Sequence, residues 1–523
     1  MLKAVRALIL AYALLSAALY CCLMPLWEGF DELFHYGYVQ HVSTHWTFPV
    51  IGKTMLSREL WTSLDYLPVS HYIQPYLGRP SISFAEYFRL TDAQRAELRR
   101  GADSIHPALR DQPSPRQNYE AQQTPLTYFL LAPVNAALSG SPLITRVLAL
   151  RLALSLTTIT LLWIGARRFC QRLGLPASIE AACLLTAFSC QMLYAETCRV
   201  GNDALTAPWL LFFLVAAMDA FQQPTLRRTA WLAFLMSLGL LIKASLLAFL
   251  PVALVTVFIA SARNGIMLTG IVAALAGPWY ARNLLLYRSF SANVDATSGV
   301  GPTQIFHAAA ALPWARSLAY TAHSALWTGN NSFTTFSGST LNVVLALLGI
   351  ALALYCVRAR RTSTELIPVS AILLYAASLV FITLAFFHST RGLIIGPMPW
   401  YMQVLLIPIL ALAYLGLARS GKWGRWIAMM TVSLWAYVSA ASWLAKLLPL
   451  YAGLTLPQAH PKRLFAWYLE NGGGRDALLS NLCPAPAPVI YLLLAAVLAS
   501  LVLAAGGLSW SHIKMKRSPP DHI

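Results

Sequence analysis

The chain has 523 residues, 58% hydrophobic and only 11% charged, with a formal net charge of +18. A soluble globular chain carries about 25% charged residues, so that class is excluded. The basic residues fall in small clusters between apolar runs, which argues against a nucleic-acid partner and for loops flanking a membrane.

The apolar runs are each about 20 residues long, enough to cross roughly 30 Å of hydrocarbon as a helix. They lack the alternation of a β-barrel, and open sheet edges cannot face lipid. An all-α polytopic membrane protein is therefore expected. With a cytoplasmic N-terminus, Lys3 and Arg6 precede a first span at about 7–25, read as a retained anchor because no small-x-small site follows it. A long first external loop, 26–144, comes next. Inside it "TPLTYFLLAPVNAAL" (124–138) is too short to cross and predicts a juxtamembrane helix. Counting it as a span would invert every later basic cluster.

Spans are then expected at 145–165, 177–196 and 203–221, with "GARRFCQR" and "PTLRR" on the cytoplasmic side. The stretch 229–261, with Lys243 in its middle, is too long for one span and too short for two. It predicts a short helix, a bend at "IKAS" and a returning helix. Further spans are expected at 265–285, 338–356, 366–387, 400–418, 426–446 and 487–508, around external loops at 286–337 and 447–486. About twelve spans result, both termini are cytoplasmic, and every short loop with two or more basic residues lands on one side. The eight cysteines show no CxxC and read as small core residues. The Gly472–Gly474 run reads as a flexible turn rather than a phosphate cradle.

Several basic residues sit near outer helix ends, where the charge rule disfavours them: Arg146, Arg151, Arg199, Lys243, Arg282 and Arg391. Snorkelling explains each alone; together they would line an outward cavity that neutralises phosphate. Acidic residues at the same level are Asp31 and Glu32 in "GFDELFHY", then Glu196 and Asp203 in "YAETCRVGND". Helix capping accounts for Asp31 alone but not for a second acid on a separate turn. Two such carboxylates either share a divalent cation (Mg or Mn) or leave one to deprotonate a hydroxyl. His35 lies four residues from Asp31 on one helical face, an active-site neighbour. His41 and His45 share that spacing but lack the HExxH pattern of a zinc site, and read as an interfacial face.

In these residues the sequence resembles the GT-C superfamily, the polyprenyl-phosphate-sugar-dependent membrane glycosyltransferases that include the ArnT-like and protein O-mannosyltransferase-like families. The resemblance is carried by "PLWEGFDELFHYGYVQHV", "YEAQQTPLTYFLLAPV", "RVLALRLALSLTTITLLWIGARRF", "RVGNDAL", "LGLLIKASLLAFLP" and "GPWYARNLLLY". Six motifs in order cover residues 1–290, a GT-C-type N-terminal module; residues 291–523 form a variable second module with no comparable signal. The resemblance implies that Asp31 is the catalytic carboxylate, with Glu32 beside it and Asp203 as a second acid near the acceptor or a metal. It implies substrate contacts from His35, Gln123, Tyr128, Arg146, Arg199, Lys243, Arg282 and Arg391. The chain departs from the family at Thr124, where a first proline is usual, and at Gln123, where His or Lys is usual.

The expectation is a transferase of the inner or plasma membrane, with its site on the extracytoplasmic face. It would move a hexose or pentose, with inversion, from a polyprenyl-phosphate sugar onto a lipid, glycan or protein acceptor. No nucleotide-binding fingerprint lies in a cytoplasmic loop, consistent with a lipid-linked donor. Two rivals remain: a flippase for a lipid-linked glycan, and a scaffold in which Asp31 and Asp203 only cap helices. A flippase predicts internal repeats and midplane breaks; neither half repeats the other, and the acids lie at the outer edge.

Overall fold

Lipid leaves each backbone N–H and C=O no partner outside its own segment, so the apolar runs become helices. The computed structural model describes residues 1–71, 73–291, 300–327, 336–360, 362–454 and 475–515, without side-chain surroundings at 76 and 511–515. Among the described residues eight helices are long and apolar enough to cross a membrane: Leu2–Leu23, Leu143–Arg172, Asn202–Gln222, Gly338–Arg358, Ser363–Ser389, Pro399–Ala418, Gly421–Tyr451 and Ala487–Trp510. The pair Ala177–Phe188 and Gln191–Thr197, bent by 62°, is long and apolar enough together to make a ninth. At that bend the Tyr194 hydroxyl donates to the Phe188 carbonyl at 2.7 Å, satisfying an acceptor the break would orphan. The chain is an all-α polytopic membrane protein.

The remaining three of the twelve expected spans are helical but fall short of a full crossing. Leu226–Ile242 ends at Lys243, whose backbone is extended, inside "IKAS"; a 3-10 turn, Ala244–Phe249, then leads into Leu250–Ala260. The span expected at 265–285 is split into Ala262–Leu275 and Gly277–Tyr287, with Pro278 opening the second piece. Proline supplies no N–H and fits only a helix's first turn. Of the third loop, residues 455–474, including Gly472–Gly474, lie outside the described residues.

The first span packs against Ala487–Met515, Leu143–Arg172 and Ala177–Phe188. At its N-terminal end Arg6 and Arg167 share the Glu180 carboxylate, at 2.7 and 3.0 Å. At its other end the loop to Leu143 folds into a cap. Met55–Ser57 pairs antiparallel with Pro113–Gln117, and helix Glu32–His45 lies against the juxtamembrane helix Leu126–Ala137. Tyr38 and Tyr128 stack between these helices at 3.8 Å, both buried. Gly37 permits the approach to the strand, since a Cβ there would meet Leu56 at 2.7 Å. The cap and the first turns of Leu143–Arg172 share a second apolar core, distinct from that of the bundle.

Candidate active site

Where the first span ends, the chain turns sharply through Trp27 and Asp31, both left-handed at φ 65° and 56°. A non-glycine residue held there costs on the order of 1–3 kcal/mol and persists only when its surroundings enforce it. Asp31 stands at the N-cap position of helix Glu32–His45 yet makes no capping hydrogen bond. Its Oδ1 instead accepts from the Tyr119 hydroxyl. The carboxylate is thus turned off the helix end into a cavity of about 590 Å³.

That cavity has two unlike walls. One is polar, from the cap: Asp31, Arg116, Tyr119, Glu120 and Gln123. The other is apolar: Phe386, Met398, Trp400 and Tyr401 from the second half of the chain, continued by Phe34, Leu64 and Leu77 of the cap. Behind the aromatic wall lies a buried cationic centre. Arg199 donates to Asp203 Oδ2 at 2.8 Å, to Glu196 Oε2 at 3.3 Å and to the Phe30 carbonyl. Lys243, the last residue to donate into its helix (its N–H reaches the Gly239 carbonyl at 2.9 Å) before the chain turns extended, pairs with the other Asp203 oxygen. The Arg199 guanidinium lies 5.6 Å over the Trp400 ring and the Lys243 ammonium 4.7 Å over Tyr401. Gly29 lets this happen: a Cβ there would stand 2.8 Å from the Arg199 Cβ. Asp31 and Asp203 therefore come to the same end of the bundle, joined through Arg199.

Glu120, which sequence reasoning missed, is the second carboxyl of the cavity. It is buried, and its Oε2 has no hydrogen-bond partner. Asn118 places it: the fully buried amide donates to the Phe34 carbonyl at 3.0 Å and accepts from the Glu120 N–H at 3.0 Å. Burial and the neighbouring Asp31 charge, opposed by Lys243, push the Glu120 carboxyl up to about 8. His35 lies 3.8 Å from it, with Nδ1 2.7 Å from the Tyr128 hydroxyl. Burial, then the Arg199 and Lys243 charges, hold this imidazole well below its ordinary range, so it is neutral. Burial and Asp31 likewise keep the Tyr119 phenol protonated.

Other expected site residues have different duties. Glu32 also lines the cavity, but its carboxylate is fully buried, accepts from two Arg151 nitrogens and takes the Val200 N–H at 3.0 Å. Arg151 also donates to the Met24 and Pro25 carbonyls at the end of the first span, at 2.5 and 2.9 Å. Gln123 accepts from Asn202 at 3.1 Å, linking the cap to the Asp203 turn. Arg146 pairs with Glu59 and Tyr36 instead of lining the cavity. Arg282 donates to the Pro49 carbonyl at 2.8 Å among Trp279, Phe48 and Tyr287. Arg391 is exposed, on the turn that precedes Ile394 and Met398 of the apolar wall. Among the described residues no three of His, Cys, Asp and Glu converge as metal ligands. Asp203 is held by two cations, so Asp31 and Asp203 as placed do not fit a shared divalent ion, and no step below runs through one.

No protein-family model and no curated protein matches the chain. Solved structures similar to it include two of one protein. ArnT from Cupriavidus metallidurans bound to undecaprenyl phosphate has 13% sequence identity and a TM-score of 0.39, over 88% of this chain and 79% of that one. ArnT from the same organism in the apo state has 15% identity and a TM-score of 0.40, over 86% and 72%. At these scores the likeness assigns no residue roles; those come from the cavity.

Proposed function

We propose that the protein is a membrane glycosyltransferase that moves a sugar from a polyprenyl-phosphate donor to an acceptor hydroxyl or amine, with Asp31 as general base. One observation carries the reading. Asp31 is held in a left-handed turn, performs no capping and has no ion-pair partner among the described residues, while facing a cavity whose polar side gives way to an apolar, partly aromatic wall. The apolar wall suits a prenyl chain, and Arg116, with Arg199 and Lys243 behind the wall, suits the phosphate leaving group. In the step, the acceptor oxygen or nitrogen forms its bond to the anomeric carbon as Asp31 takes its proton. The bond from that carbon to the phosphate oxygen breaks, and polyprenyl phosphate departs with the electron pair. Attack opposite the leaving group inverts the anomeric centre. The basic clusters support a site on the extracytoplasmic face with both termini cytoplasmic, since Arg6, Arg167 and Arg168 lie at the far end of spans that begin or end near Asp31.

Purified protein incubated with radiolabelled polyprenyl-phosphate sugars and an envelope lipid extract tests this. Release of polyprenyl phosphate, abolished in Asp31→Asn, is the expected result. Translocation of the labelled lipid without release in reconstituted vesicles would establish the flippase instead.

A further inference from the structure

The end of the bundle opposite Asp31 carries a second concavity that transfer chemistry does not use. Helix Thr206–Gln222 starts beside Asp203 and runs 17 residues away from it, about 25 Å at the helical rise. At its far end lie two cavities of about 820 and 430 Å³ that share Ala216, Asp219 and Trp231, and so form one groove. The floor is this helix. The walls are the two helices packed on either side of it, Leu143–Arg172 and Leu226–Ile242.

Both walls repeat one pattern. On the first, Ile164, Arg168 and Arg172 follow at four-residue spacing; on the second, Arg227, Trp231 and Phe234 follow at four and three. Residues so spaced share a helical face. Because the helices run in opposite directions, each stripe passes from apolar side chain to guanidinium toward the same end. Trp231 and Phe234 are 52% and 41% exposed and stack at 5.6 Å. Asp219, the one acid lining the groove, is already paired with Arg172, and Arg228 donates to its backbone carbonyl at 3.1 Å. Four guanidiniums thus face one carboxylate, and Arg168 and Arg227 have no partner among the described residues.

We propose that this groove binds an anionic glycerophospholipid, with its phosphodiester between Arg168 and Arg227 and its acyl chains over Trp231 and Phe234. Guanidinium forks match phosphate oxygens two at a time. Basic pockets between membrane helices at the interface favour anionic headgroups over zwitterionic ones. The exposed aromatics just below the charges would be left in contact with nothing by a small soluble anion, and are covered by a lipid tail.

The test is native mass spectrometry of the full chain in mixed micelles of phosphatidylglycerol and phosphatidylcholine. The parent protein should retain phosphatidylglycerol selectively. Arg168→Ala with Arg227→Ala should lower that retention by about tenfold or more, whereas Arg425→Ala, outside the groove, should not change it. Equal retention by the double variant overturns the proposal. Displacement by an equal concentration of inorganic phosphate also overturns it, since the groove would then read phosphate alone. If the double variant does not fold, Trp231→Ala, which keeps every charge, decides: weaker retention supports the lipid, unchanged retention refutes it.

Discussion

Helix Glu32–His45 has a buried charged network on each of two faces, and the networks differ in how far they are closed. On the face of Tyr36 and Gln40, the Glu59 carboxylate receives Arg146, Arg110 at 3.2 Å and the Gln40 amide at 2.5 Å; the Tyr36 hydroxyl takes Arg146 at 2.6 Å and donates to Asn135 at 2.9 Å. On the face of Asp31 and His35, the Asp31 and Glu120 carboxyls turn to a cavity with no Lys or Arg ion-paired to either among the described residues; the imidazole nearest Glu120, His35, is held neutral, and Lys243 and Arg199 act on it only from behind the wall. A closed network holds elements together and leaves nothing for a substrate. An open one keeps acceptors free at a cost in stability, which is the mark of a site.

The largest effect separates the faces by activity. Asp31→Asn should lower the rate of polyprenyl phosphate release by about 10²- to 10⁴-fold, the usual worth of a general base, with an unchanged melting temperature. A parallel fall in melting temperature would make Asp31 a part of the fold instead. The closed face should respond in the opposite way. Arg146→Ala removes the closer of two guanidiniums from a carboxylate that is 1% exposed, leaving it Arg110 and Gln40, and should cost about 1.5–3 kcal/mol of stability. Size-exclusion thermal melts would show that loss, and the protein still folded at low temperature should keep its turnover.

This contrast also explains what could be read in advance. The spans, the juxtamembrane helix and the break at Lys243 follow from run length and basic bias, which are local properties. Asp31 and Asp203 at one end follow from counting crossings. Arg146 and Glu32 read from sequence as free charges at the site because isolated charges near helix ends look alike. Their partners, Glu59 and Arg151, lie 87 and 119 residues away, and only the folded cap shows the pairing. Glu120 sits in an irregular turn with no periodicity, and its importance depends on Asn118 aiming it at Asp31. The aromatic wall, Phe386 to Tyr401, lies in the half with no recognisable motif. Three aromatic residues at the ends of apolar spans carry no signal until a carboxylate is placed opposite them.

A smaller effect concerns the proton held at Glu120. Its carboxyl, raised from the ordinary 4.5 to about 8, enters the folded protein protonated. The stability linked to it is therefore complete below about pH 4.5 and declines as pH rises through about 8. Glu120→Gln is neutral throughout, so its melting temperature should fall less over that window. If the protonated acid is also the working form, the alkaline limb of activity near pH 8 should vanish in the variant. An unchanged limb would assign it to another group.

Tyr119→Phe should give the smallest change, and it tests whether the open face is pre-shaped. The phenol donates to Asp31 Oδ1 where no capping bond is made, so it holds the carboxylate off the helix end. A hydrogen bond to a charged acceptor is worth about 1.5–3 kcal/mol, but a water in the cavity replaces part of it. What remains is orientation, and a modest loss of it should slow turnover by about three- to tenfold while leaving the KM for donor lipid and the melting temperature in place. Asn118→Ala, which frees Tyr119 and Glu120 together, should slow turnover more and also lower the melting temperature. Equal behaviour of the two variants would mean that the backbone strain at Asp31 alone sets the carboxylate's direction.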